Sequence, residues 1–281
     1  MLDLVATPDE FLEPIARVLD AALPRASGLT SDNVMVVGAA GRDILHHALG
    51  NRFPTSATHD LDLALALSSW DAFTGVADAF PKVGHTGIRF RIADTTVDLL
   101  PFGDIEDPEG EVQPPTRSEA FSVWAFEEIF TAARPLTLPT GAVVKIPTVA
   151  GYAATKLGAW LDRSVWLEVK DARDLALTAY WYEHSTTVHN RLYDTDLGNA
   201  VLIAERADVP RAAAHLLGND IAAVIGERRQ AERTAPWPGN RDLLIREFTV
   251  AGEYALSESR RRDLIDALTA GIIGAASAHG G

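Results

Sequence analysis

Asp60 and Asp62 are the residues of this sequence best placed to do chemistry. They stand two apart in Asp60-Leu61-Asp62-Leu63-Ala64-Leu65, an alternation that predicts a β-strand, and residues two apart on a strand share a face. Carboxylates held side by side repel each other unless positive charge lies between them. A divalent cation meets that need. Mg²⁺ takes oxygen ligands and is shared between one or two protein carboxylates and a nucleotide's phosphates, and a second ion about 3.5–4 Å away would activate an attacking hydroxyl. D-x-D also occurs on solvated strand faces, and the segment ahead of it is what favours chemistry here. Residues 34–37 are an apolar run that predicts a buried strand, and it ends in Gly38-Ala39-Ala40-Gly41, where small residues let a ligand approach the backbone. Residues 42–49 have Ile44, Leu45 and Leu49 at helical spacing and stop at Gly50. The first N–H groups of such a helix would face the turn, which suits a phosphate.

A third carboxylate follows. Arg89-Phe90-Arg91-Ile92 and Thr96-Val97-Asp98-Leu99-Leu100-Pro101 are alternating segments around Ala93-Asp94-Thr95, the pattern of a β-hairpin. Val97 and Leu99 then face the side of the sheet opposite Asp98.

Small-residue turn, helix and D-x-D on a strand, with an acid on a neighbouring strand, resemble the polymerase-beta-type nucleotidyltransferase superfamily. Further on stand Lys156-Leu157-Gly158-Ala159-Trp160-Leu161-Asp162-Arg163 and Lys170-Asp171-Ala172-Arg173-Asp174. They are similar to the K-x-x-A-x-x-x-R and K-D-x-x-D of AbiEii-type abortive-infection nucleotidyltransferases, toxin components of bacterial toxin–antitoxin pairs. The resemblance spans residues 34 to 180. Ala39 departs from it where Gly or Ser is usual, and Ser56 stands where Arg is frequent, while Thr58 fits. The motifs at Gly38 and Asp60 also resemble the head of tRNA CCA-adding enzymes and poly(A) polymerases, with no downstream match.

The resemblance implies an α+β fold: a nucleotidyltransferase head with a mixed or antiparallel sheet and flanking helices, then an α-helical lobe. It implies Mg²⁺ or Mn²⁺ with an NTP as co-substrate, metal ligands Asp60, Asp62 and Asp98, and catalytic roles for these three and Lys156. Gly38, Ala39, Arg42, Thr58, Lys156, Arg163 and Asp174 are the implied nucleotide-binding residues. The implied reaction moves a nucleoside monophosphate to an acceptor hydroxyl, at the tRNA 3′ end, with a cognate antitoxin protein as partner. A small-molecule transferase of the kind that modifies aminoglycosides, a protein nucleotidyltransferase and a non-catalytic nucleotide-binding module are the alternatives.

With 281 residues and 47% hydrophobic composition, the chain can bury a substantial core, read as a head over 1–147, a helical domain over 148–274 and a disordered tail over 275–281. Zero cysteines exclude disulfides, thiolate zinc sites and cysteine nucleophiles. No apolar run reaches the about 18 residues that span a bilayer, and the first residues lack signal-peptide order, so no membrane association and a cytoplasmic location are expected. The net charge of −14 disfavours broad nucleic-acid binding, although arginines gather at 228–229, 233, 241 and 260–262. Residues 8–23 predict a helix capped by Thr7 in a box with Glu10, buried along Phe11, Ile15, Val18, Leu19 and Ala22. His46 and His47 point apart on their helix and are read as surface residues. Residues 103–116 read as a mobile loop, too acidic and turn-rich to pack. Leu136-Thr137-Leu138 and residues 142–146 predict a second hairpin, and a helix beginning near Thr148 carries Lys156 and Arg163 two turns apart on one face. Beyond His184, helices are expected over 194–206, 209–232, 240–254 and 257–273.

Overall fold

The computed structural model describes residues 3–55, 60–250 and 256–278. The chain divides into two compact units, Leu2–Thr148 and Val149–Gly281.

The first unit is α+β. Helix α1 (Asp9–Ala22) buries Leu12, Ile15, Ala16, Val18, Leu19 and Ala22. Its expected capping box does not form: Pro8 takes the N-cap position, no side chain caps the helix, and the Thr7 hydroxyl is buried without a hydrogen bond. Strand β1 (Val34–Val36) leads into α2 (Gly38–Ala48), then β2 (Asp60–Leu67), α3 (Asp71–Ala79) and the hairpin of β3 (Arg89–Ile92) and β4 (Thr95–Gly103). A small ribbon, β5 (Glu111–Val112) with β6 (Phe121–Ser122), and α4 (Phe126–Ala132) precede a second hairpin, β7 (Arg134–Thr137) and β8 (Val143–Ile146).

Six strands form one mixed sheet in the order β3-β4-β2-β1-β8-β7. Strand β2 lies between an antiparallel β1 and a parallel β4. Its alternation does what the pleat requires: Leu61, Leu63, Leu65 and Leu67 are buried, and Asp60 and Asp62 lie on the opposite, part-exposed face. In β4, Val97 and Leu99 are buried while Asp98 stays part-exposed. The apolar leucine face, closed by Phe73 and Phe90, therefore fixes which way the acids point.

Two segments differ from the sequence reading. His46 is buried rather than at the surface: its Nε2 is 3.1 Å from the Phe53 carbonyl and its ring stands edge-on to Phe53. Burial pushes its pKa below the usual histidine value, against the raising effect of the Phe53 carbonyl. The acidic stretch 103–116 is ordered rather than mobile. The Glu106 carboxylate accepts from the N–H groups of Gly103 and Gly110 at 2.9 and 2.6 Å, and Val112 of β5 is fully buried.

Among the described residues the second unit is helical: α5 (Val149–Arg163), α6 (Lys170–Glu183), α7 (Thr186–Asp194), α8 (Asp196–Ala204), α9 (Val209–Thr234), α10 (Arg241–Glu247) and α11 (Glu258–Ala278). Helices α9 and α11 pack where Gly218 meets Gly271, and a Cβ on Gly271 would stand 2.9 Å from the Asn219 nitrogen. Helix α11 runs to Ala278, four residues into the expected disordered tail, because Ala275, Ala276 and Ala278 favour helix. Helix α7, absent from the sequence reading, starts at a Ser185 cap whose hydroxyl accepts from the Val188 N–H. Among the described residues no helix is long and apolar enough to cross a membrane.

Candidate active site

The three acids of the first unit share one sheet face. Asp62 of β2 pairs with Asp98 of β4 in parallel register, and Asp60 lies two residues earlier on the same side. Strand β3 adds a residue that the sequence reading did not assign to the site. Arg89 is the antiparallel partner of Asp98, so its side chain rises from the same face. Its guanidinium grips Asp98 with a fork, Nε to Oδ1 and Nη2 to Oδ2, both at 2.7 Å, and Nη2 also lies 2.9 Å from Asp60 Oδ2. The hydrogen bonds to Asp98, then the charges of Asp98, Asp60 and Asp62, hold the arginine above its usual pKa against partial burial. Positive charge between the acids was expected from a metal ion; Arg89 supplies part of it.

The small-residue turn is also on this face. Strand β1 is antiparallel to β2, and the Val37 N–H donates to the Asp62 carbonyl at 3.1 Å, which brings the next residue against the Asp62 side chain. That residue is Gly38, at φ 60°, and a Cβ there would collide with the Asp62 carboxylate, 2.6 Å from its Cγ. Both the left-handed backbone and the contact demand glycine. The helix begins at Gly38 rather than at Arg42, and its first intrahelical bond is Gly41 N–H to Val37 carbonyl. The amides of Gly38 and Ala39 thus belong to the first turn, whose N–H groups have no acceptor within a helix and attract anions.

Arg42 is buried and committed to its own neighbourhood. Its Nε donates to Asp43 Oδ1 at 2.8 Å and its Nη2 to Thr55 Oγ1 at 3.3 Å, while Thr55 donates to the same Asp43 oxygen at 2.6 Å. This triangle anchors the chain ahead of β2 to α2. Thr58 lies outside the described residues.

Mg²⁺ and Mn²⁺ prefer carboxylate oxygens, and Asp60, Asp62 and Asp98 are such donors on one face. The donor chemistry fits. Among the described residues, however, no group of three or more His, Asp or Glu is arranged to hold a metal ion, and Arg89 lies across two of the three acids.

The second unit holds the other motif residues in a network of their own. Lys156 on α5 bonds Asp174 on α6 at 2.6 Å and stands 3.7 Å from Asp171. Arg163 reaches both Asp171 oxygens, at 3.3 Å from Oδ1 and 3.2 Å from Oδ2, the latter off the direction of a hydrogen bond. Asp171 is fully buried, and burial raises its pKa against the opposing charges of Lys156 and Arg163. These salt bridges join α5 to α6.

The C-terminal arginines are largely paired as well. Arg233 bonds Asp162, Arg241 bonds Asp266, Arg260 bonds Asp208, Arg262 bonds Glu258, and both Arg228 and Arg229 approach Glu232. Compared with protein-family models and with curated protein sequences, the chain matches none.

Proposed function

We propose that this chain is a metal-dependent nucleotidyltransferase, moving a nucleoside monophosphate from an NTP to an acceptor hydroxyl with release of pyrophosphate. The observation that supports it most is the meeting of three acids on two adjacent parallel strands with a glycine-led helix start pressed against Asp62. Asp60 and Asp62 would bind the cation, and Asp98 would orient the acceptor hydroxyl. The first-turn amides of Gly38 and Ala39 would hold phosphate oxygens. A bound Mg²⁺ or Mn²⁺ would neutralise phosphate charge and favour ionisation of the attacking hydroxyl.

The acceptor assigned here is the 3′ end of tRNA, as in toxins of AbiEii type, with an antitoxin protein as the partner that restrains it. This rests on the resemblance in Lys156, Ala159, Arg163, Lys170, Asp171 and Asp174. The test is incubation of the protein with each labelled NTP, Mg²⁺ and total RNA, followed by separation of RNA from protein. The expected result is a labelled tRNA band with one preferred NTP, lost in Asp60→Ala. Label on protein alone would redirect the proposal to nucleotidylylation of Ser, Thr or Tyr. Label on neither would remove the RNA reading and leave a small-molecule acceptor or a binding module.

A further inference from the structure

Arg89 is held in place by backbone as well as by charge. Ala93 and Asp94, at φ 47° and 61°, make the two-residue turn that sets the β3–β4 register. Ile92 pairs with Thr95, so Arg89 pairs with Asp98. The Arg89 carbonyl accepts from the Val83 N–H at 2.9 Å, the Ile88 carbonyl accepts from the Leu99 N–H at 2.8 Å, and Phe90 is fully buried beside them. A guanidinium rising from this position has Asp98 as its immediate cross-strand neighbour whatever else binds nearby.

The charges on the face then decide how many cations it takes. Three carboxylates and one guanidinium leave two negative charges, which a single divalent ion neutralises. The fork at 2.7 Å also occupies both Asp98 oxygens along the directions that a chelating ion would use. We propose that Arg89 takes the place of one of the two cations expected of such a site, so that the face holds a single divalent ion, on the Asp60–Asp62 side. This rests on the nucleotidyltransferase reading of the same face.

The fixed cation has a different chemistry from the ion it replaces. A guanidinium donates hydrogen bonds and carries charge, but it accepts no ligands and is not lost when metal is removed. Arg89 would therefore keep Asp98 in position in the metal-free protein and leave metal binding to the neighbouring pair.

The test is titration of the full chain with Mn²⁺, counting bound ions by the loss of the free-ion paramagnetic resonance signal, without nucleotide. Wild type is expected to bind one ion per chain, with the spectrum of an isolated ion, and Arg89→Gln to bind two, with the spectrum of a coupled pair. Arg89→Lys keeps the charge and should still bind one. Two ions in the wild type, or one in a folded Arg89→Gln, would overturn the inference. If Arg89→Gln fails to fold, the wild-type count and spectrum decide alone. The two readings fail separately: two coupled ions in wild type would leave the nucleotidyltransferase reading standing, whereas no bound ion in either protein, even after an NTP is added, would remove both.

Discussion

A substitution at Lys156 would mix the loss of its observed ion pairs with the loss of the nucleotide contact proposed for it. Its ammonium lies between Asp174 and the fully buried Asp171, so its removal takes away the nearer cation of both acids and leaves Arg163 beside Asp171. Breaking a buried pair in this way costs about 3–5 kcal/mol. Lys156→Met is therefore expected to lower the unfolding stability of the helical unit by about 3 kcal/mol, measured by urea denaturation, whether or not the lysine meets nucleotide. The same variant combined with Asp174→Asn should recover part of that stability, and if NTP binding stays weak in the stabilised double variant, the lysine has a role beyond packing α5 on α6. Asp98 offers the contrast. It is part-exposed and its partner Arg89 keeps Asp60 at 2.9 Å, so Asp98→Asn should change stability little. Turnover of any labelled acceptor should fall by orders of magnitude while NTP affinity, read by calorimetry, stays close to wild type. Equal and mild effects of the two substitutions would mean that neither residue touches the reaction.

Helix ends carry much of the charge pairing in the helical unit, and one pair ties two elements together. Asp208 caps α9, accepting from the Arg211 N–H at 3.1 Å, and is gripped by Arg260 of α11 at 2.6 and 2.8 Å. The Arg260 hydrogen bonds hold its pKa below the usual aspartate value, opposed by partial burial. A carboxylate whose folded pKa is depressed adds stability that is present above its unfolded pKa, about 3.9, and is lost as pH falls through the folded value. Arg260→Gln should thus cost about 1 kcal/mol at pH 6 and progressively less as the pH falls below about 3.9, as measured by urea unfolding across that range. A difference that persists in acid would show that the arginine acts by packing instead.

The strands were readable from the sequence because a period of two leaves little freedom: leucines on one side of β2 put the acids on the other. Arg89 was legible in principle, since a two-residue turn at Ala93-Asp94 pairs it with Asp98, but the turn was read one residue too long. The Thr7 box failed because Pro8 occupies the cap. The depth of His46 was not legible because it depends on the Phe53 carbonyl beyond its own helix, and the folding of 103–116 was not because composition does not show that the Glu106 carboxylate folds back on the Gly103 and Gly110 N–H groups.

The charge of the whole molecule is divided unevenly between its two units, and this bears on where RNA could bind. Of the 39 Asp and Glu, 21 precede Val149, against only 10 of the 25 Lys and Arg. The sheet unit is thus strongly acidic and the helical unit close to balanced. Affinity for RNA comes mainly from cations at phosphates and weakens with salt. Each unit has a core of its own, the six-stranded sheet with its leucine face in one and the α9–α11 packing in the other, so each can be made as a separate fragment. If tRNA is the acceptor, a fragment of residues 149–281 should retain measurable tRNA binding in a filter or gel assay, and a fragment of residues 2–148 should not. Binding by the full chain should fall steeply as salt rises. Because most arginines of the helical unit are already paired with acids, neutralising those acids should strengthen binding: Asp162→Asn removes the negative charge facing Arg233, and Asp266→Asn the one facing Arg241. Binding by the sheet fragment alone, or binding indifferent to salt and to these two substitutions, would remove RNA as the acceptor and direct the search to small molecules.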